Sequence, residues 1–235
     1  MIQIKYYFIV NVLSFKRMTL EQTHVVDTYN KIAPLFDKTR VYTWPKTKEF
    51  LDQIVHKNGI DGTIKVADIG CGNGRNIKYL IDEGCISPAF DLCGCDASEE
   101  FVRICKYKKM NVILGNITNL PYDDNTFDFV FCIAVIHHLS TLELRKKAVE
   151  ELIRITKHGG KILIQVWAQH QEYSKVKYTE QDVMIPWKQG KTLIADRYYH
   201  LFLDNELAEL CTASNINILE EYIEHDNYGV VLTKC

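Results

Sequence analysis

Three glycines spaced two apart, Gly70, Gly72 and Gly74, follow the apolar run Val66-Ala67-Asp68-Ile69, which carries an acid near its end. Residues without a Cβ let a backbone bend sharply against a ligand, so the pattern predicts a small-molecule loop between a strand and the helix after it. The acid narrows the choice. Dinucleotide folds use G-x-G-x-x-G to receive a pyrophosphate, which Asp68 would repel, so Asp68, Gly70, Cys71, Gly72 and Gly74 suit a cationic ligand without phosphate. About twenty residues later Leu92-Cys93-Gly94-Cys95-Asp96 ends a second short apolar strand in an acid, the position that binds a ribose in nucleoside-binding doubly wound folds.

Strands and helices must alternate to position these groups. Val112 to Ile117 and Phe127 to Ile133 read as the third and fourth strands, with Pro121 to Asn125 as a turn, and Lys161 to Val166 as the fifth. Ile216 to Ile223 and Gly229 to Thr233 form a closing antiparallel pair. Apolar residues recurring at three and four predict helices over 46–56, 73–83, 99–108, 141–156 and 205–214. The segment 168–198 has no clear period, and so long a stretch reads as a lid or recognition loop. The pattern is α/β, a Rossmann-like, mostly parallel seven-stranded sheet with an antiparallel last strand. Ligands in such sheets bind outside the carboxyl ends of the strands, so Asp68, Asp96, Asn116, Ile117 and Ile133 should share one crevice.

The chain has 235 residues, 47% hydrophobic, enough for one sizeable core. Residues 1–18 read as an N-terminal extension, disordered or loosely packed, ahead of a domain at 19–235. Tyr6 to Leu13 is apolar after Lys5, but it lacks a small-residue cleavage site and is too short to span a bilayer. Eight cysteines without a C-x-x-C pair argue against a metal site, and several fall in predicted core strands; a reducing compartment, the cytoplasm, is expected. The formal net charge of −2 excludes a polycation, while local basic clusters such as Lys38 with Arg40 and Lys188 with Lys191 leave RNA open.

Outside the crevice the chain reads Tyr29-Asn30-Lys31-Ile32-Ala33-Pro34-Leu35-Phe36, Thr39-Arg40 and Trp44-Pro45. Later come Ile133-Ala134-Val135-Ile136-His137-His138-Leu139-Ser140-Thr141, Val166-Trp167-Ala168-Gln169, Ile185-Pro186-Trp187 and Arg197-Tyr198-Tyr199-His200-Leu201-Phe202. The glycine loop resembles the first motif of the class I S-adenosylmethionine (SAM) methyltransferases. The whole set, from about Thr23 to about Cys211, resembles the eukaryotic tRNA wobble-uridine carboxymethyl methyltransferases.

The resemblance implies SAM as cofactor, tRNA as partner, and methylation of the carboxylate of 5-carboxymethyluridine at position 34 of the anticodon loop. Arg40, His137 and His200 are the candidates for holding and aligning that carboxylate; Trp167, Trp187 and Tyr199 are candidate stacking surfaces for the base. Many class I enzymes have an aspartate where this chain has Asn116, whose amide oxygen can still accept a bond from adenine. The resemblance also implies a small zinc-binding activator subunit on one edge of the sheet, giving a heterodimer. A methyltransferase for small molecules on the same fold and a non-catalytic SAM-binding module are the alternatives; the outer motifs argue against the first, and the full set of crevice residues against the second, which Asn116 leaves open.

Overall fold

A computed structural model describes residues 19–56, 62–86, 88–174, 176–213 and 215–235. The N-terminal extension expected at 1–18 lies outside them. The chain runs through α1 (Asp27–Thr39), α2 (Pro45–Val55), β1 (Ile64–Ile69), α3 (Arg75–Asp82), β2 (Phe90–Asp96), α4 (Glu99–Tyr107), β3 (Val112–Leu114), β4 (Phe127–Ile133) and α5 (Leu142–Ile155). It continues with β5 (Thr156–Trp167), β6 (Asp182–Gln189), β7 (Thr192–His200), α6 (Glu206–Leu210), β8 (Ile216–Glu224) and β9 (Asn227–Lys234).

Seven strands form one sheet in the order β3-β2-β1-β4-β5-β9-β8. The first five are parallel, and the last strand of the chain, β9, runs antiparallel between β5 and β8, as the sequence predicts. Strand period two sorts the core. Ile64, Val66, Phe129, Phe131, Ile133 and Leu163 face α2, which delivers Phe50, Leu51 and Ile54. Ala67, Ile69, Val130, Cys132, Ile162 and Ile164 face α5, which delivers Ala148, Val149 and Leu152. Burying each of these large side chains contributes ~1.5–3 kcal/mol. Both faces are covered, which is why the central strands are continuous apolar runs.

Helix starts follow local chemistry. Ser98 caps α4 by accepting from the Phe101 amide at 3.2 Å, and Thr141 caps α5 by accepting from the Leu144 amide at 3.2 Å. Pro45 opens α2, where its missing N–H costs nothing.

The structure corrects the sequence reading in three places. The helix α1 was not among the periodic segments, because Pro34 sits inside it. The third strand stops at Leu114, since Asn116 turns back to bridge Asn119. The segment read as a lid or loop instead contains the β6–β7 hairpin, closed through Gly190 at φ +60°. Its alternation was hidden by Pro186 and by a bulge after Trp187, and β6 stays largely exposed. The hairpin is tied to α1, where Thr28 Oγ1 donates to the Asp196 carbonyl and Lys31 Nζ to that of Ile194 at 2.6 Å. Among the described residues no helix is long and apolar enough to cross a membrane.

Candidate functional site

The chain order reverses between β1 and its neighbours β2 and β4, the switch point at whose carboxyl ends ligands bind in open α/β sheets. Gly70, Gly72 and Gly74 all have positive φ, at 73°, 53° and 76°. At Gly70 a Cβ would stand 2.2 Å from Val135 Cγ2, and at Gly74 2.5 Å from Met110 Sδ, so shape as well as conformation requires glycine. The loop is pinned by the Gly70 and Cys71 amides, which donate to the Cys95 carbonyl at 2.7 and 3.1 Å. Cys71 is buried in it, and Cys105 Sγ closes on the Gly72 carbonyl at 3.3 Å.

The two acids differ. Asp96 accepts from the Gly72 amide at 2.7 Å and the Ser98 amide at 2.8 Å, and burial nevertheless pushes its carboxyl up to about 6. Asp68 is 1% exposed, and among the described residues neither oxygen has a hydrogen-bond partner. Burial drives its carboxyl well above the usual range, opposed by the charge of Arg75 and reinforced by Asp96. A buried acid lacking donors is costly unless a ligand completes it. Ile133 and Ile117 are buried apolar residues at the ends of β4 and beyond β3. Asn116 is exposed, and its amide oxygen accepts from the Thr118 amide and hydroxyl at 2.9 Å each, so it serves its own turn.

A second group of residues lies beside the loop, joined to it by α1. Phe36 approaches the Gly72 position and stacks on Trp187 with ring centroids 5.9 Å apart. Asn73 Nδ2 donates to Asp37 Oδ1 and to the Arg40 carbonyl. Arg40 is exposed at the end of α1, with its guanidinium 5.4 Å from the Trp187 ring centre. Trp187 and Trp167 are half-buried; Tyr199 is buried, 4.7 Å from Trp167 and stacked on His137 at 4.8 Å.

The two adjacent histidines are held neutral. Burial pulls His137 well below its ordinary range, aided by the neighbouring His138, Arg197 and His200, beside which a second positive charge is disfavoured. His137 Nδ1 accepts from the Trp167 amide at 3.1 Å, so its proton sits on Nε2, which has no partner among the described residues. Burial likewise pushes His138 down to about 3. His138 Nδ1 donates to the Tyr198 carbonyl at 2.7 Å, leaving Nε2 to accept from the Tyr29 hydroxyl at 2.9 Å.

His200 stands apart from this pair. Its Nδ1 meets Asp182 at 2.9 Å and its Nε2 meets Glu206 at 2.7 Å, and so it ties the hairpin to α6. The structure therefore gathers Arg40, His137, Trp167, Trp187 and Tyr199 and commits both nitrogens of His200 elsewhere. Sequence reasoning missed Tyr29, His138 and Arg197 as members of the group. The signal was present in β7, where period two puts Ala195, Arg197 and Tyr199 on one face with Ile185 and Trp187 of β6.

A methyltransferase-domain family model matches residues 67–164. The chain is 31% identical to the tRNA (carboxymethyluridine(34)-5-O)-methyltransferase alkbh8 of Xenopus tropicalis, over 92% of this chain and 41% of that one. It is 34% identical to the tRNA (carboxymethyluridine(34)-5-O)-methyltransferase of Schizosaccharomyces pombe, over 91% of this chain and 97% of that one. The chain thus spans less than half of the frog relative and nearly all of the yeast one. In fold it is similar to a SAM-dependent methyltransferase from Aquifex aeolicus, with a TM-score of 0.61 at 20% identity over 88% and 98% of the two chains. It is also similar to a chain of the complex between the Haloferax volcanii Trm112 methyltransferase activator and a methyltransferase, with a TM-score of 0.61 at 16% identity over 88% and 97%.

Proposed function

The chain belongs to the family of tRNA (carboxymethyluridine(34)-5-O)-methyltransferases, and from that membership we propose that it methylates the carboxylate of 5-carboxymethyluridine at wobble position 34 of tRNA, giving 5-methoxycarbonylmethyluridine. The cofactor is S-adenosylmethionine, and the residues present fit it. The observation that carries the reading is the pairing of an unpartnered buried acid, Asp68, with a cationic, aromatic pocket next to it. When bound, SAM supplies a cationic sulfonium methyl open to in-line displacement.

Asp68 and the glycine loop would hold the charged amino-acid part of the cofactor, and Asp96, with lone pairs left beyond its two amide bonds, the ribose hydroxyls. Asn116, Ile117 and Ile133 would border the adenine. The acceptor carboxylate ionises at about pH 4, so no strong general base is needed. What the chain must supply is alignment and exclusion of water. His137 offers a neutral Nε2–H donor in a dry setting, and Arg40 a guanidinium at the rim. Trp187 and Trp167 present the accessible aromatic surface for an unstacked base, with Tyr199 behind them. His200 serves by keeping the hairpin in place.

The same reading includes a small zinc-binding activator in a heterodimer. The β8 edge carries a bulge and the acids Glu220, Glu221 and Glu224, which discourage strand addition. The β3 edge (Val112–Leu114) carries no acid and exposes half of Leu114, and Tyr107, at the end of the preceding helix α4, is almost wholly exposed. We place the activator there. All eight cysteines are free thiols, which fits a reducing cytoplasm.

The test is methyl transfer from labelled SAM to total tRNA from cells lacking this activity, with and without the activator, followed by mass analysis of nucleosides. Methoxycarbonylmethyluridine is expected with the activator. SAM binding without any tRNA product would overturn the proposal.

A further inference from the structure

Arg197 on β7 is 7% exposed, yet among the described residues no carboxylate pairs with it. Its Nη1 donates to the Tyr199 hydroxyl at 2.7 Å, and its guanidinium carbon lies 5.0 Å from the Trp187 ring centre and 5.1 Å from that of Tyr199. Its Nε–H has no acceptor. The other buried basic groups have carboxylates or carbonyls beside them. Arg145 also has an unpartnered Nε–H, but its Nη1 donates to the Leu139 carbonyl at 2.9 Å and it sits in the field of Asp182 and Glu206, while Lys234 Nζ is ringed by Asn125 Oδ1 and the Ile153 and Thr156 carbonyls at 2.8 Å each. Among the described residues Arg197 has the Tyr199 and Tyr29 hydroxyls and aromatic faces, all of them neutral. Aromatic faces offset part of the cost of burying a cation, but a guanidinium is normally buried only with an anion.

The neighbouring donor is left over in the same way. His137 Nε2–H is buried without a partner, and its ring lies against the Tyr199 ring that also carries Arg197. Tyr199 is fixed in turn. Its hydroxyl takes a bond from Arg197 and reaches the Tyr29 hydroxyl at 3.4 Å, which is bonded to His138. Two unspent N–H groups, one charged, thus lie buried against the Tyr199 ring, with Arg197 beside Trp187 and His137 beside Trp167.

Resting on the function proposed above, we infer that Arg197 is the specificity-determining cation of this site, binding the carboxylate of the modified base together with His137 Nε2–H. Because Nη1 is held by Tyr199, the grip is not a free fork. One carboxylate oxygen stays available to attack the methyl group while the other is fixed. Methyl transfer joins that oxygen to the methyl carbon, breaks the carbon–sulfur bond and leaves a neutral ester, so Arg197 loses its counter-ion as product forms and favours release.

Two synthetic anticodon stem-loops test this, one with 5-carboxymethyluridine and one with the neutral 5-carbamoylmethyl analogue at the wobble position. Binding is measured to the chain with its activator and S-adenosylhomocysteine, which prevents turnover. The wild-type protein is expected to prefer the carboxylate by on the order of 10- to 100-fold. Arg197→Gln should erase that preference while still binding S-adenosylhomocysteine, and Arg197→Lys, which keeps the charge and the fold, should reduce it several-fold. Equal wild-type binding of the two loops, or a full preference in either variant, would overturn the inference even if the carboxymethyl loop is methylated. No methylation of that loop by the wild-type protein overturns the functional reading, and this inference with it.

Discussion

The glycine loop and the aromatic pocket meet at Phe36 and Arg40, yet they are built in opposite ways. The loop is one continuous stretch between β1 and α3, carries buried acid, and leaves Asp68 without donors. The pocket is assembled from α1, the 137–138 turn, the end of β5 and the β6–β7 hairpin, carries cations, and among the described residues leaves Arg197 Nε and His137 Nε2 without acceptors. Each half lacks a ligand of the opposite charge. A methyl donor that is a cation and an acceptor that is an anion would complete both, and the charges would cancel as the methyl moves.

The strongest way to break this comparison is at the loop. Gly70→Ala places a methyl on Val135 at a left-handed residue, with an expected cost of about 1–3 kcal/mol from overpacking and about 1–2 kcal/mol from the backbone. A thermal melt and SAM titration should show both a lower Tm and lost binding, whereas Trp187→Ala should leave cofactor binding intact. Asp68→Asn separates ligand from fold. It should weaken SAM by about 10- to 100-fold while raising the melting temperature of the ligand-free chain, because an unpartnered buried acid is removed. Unchanged SAM affinity would show that the charge is not held for the cofactor.

On the pocket side, Trp187→Ala should raise the KM for tRNA by about tenfold, the lower part of the usual range for losing one base stack. The smallest effect concerns pH. Burial holds His138 at about 3, offset by its bond to the Tyr198 carbonyl and deepened by Arg197; in the unfolded chain it titrates near 6.5. The unfolded chain therefore takes the proton first, so this stability is complete above about pH 6.5 and is lost as pH falls toward 3. Between about pH 7 and 5.5 wild type should lose roughly 1 kcal/mol more than His138→Gln in denaturant melts. Parallel curves would mean that His138 is not kept neutral by the fold.

The same contrast explains what could be read without coordinates. The loop was legible because its chemistry is local: a β-branched run, an acid, and glycines whose left-handed backbone nothing else adopts cheaply. The parallel core strands followed from apolar runs covered on both faces, and the shared crevice from the rule that ligands bind at their carboxyl ends, while the order of the strands in the sheet was not predicted. The pocket was legible only as motifs. Nothing local shows that Arg197 lacks an anion or that His200 spends both nitrogens on Asp182 and Glu206, because those facts depend on which distant residues the hairpin meets. Pro34 hid α1 and Pro186 hid β6, since a residue without an amide hydrogen interrupts the very periodicity by which elements are recognised.

Helix α1 rests on both halves. It reaches the glycine loop through Asp37 and Phe36, α4 through Asn30 and Ser98, and the hairpin through Thr28, Lys31 and Tyr29. Moving it to exchange the cofactor would also pull Tyr29 from His138 and loosen the wall behind Tyr199. On the function proposed above, binding on the two sides is expected to be coupled through α1, with the cofactor admitted before the RNA and released after it.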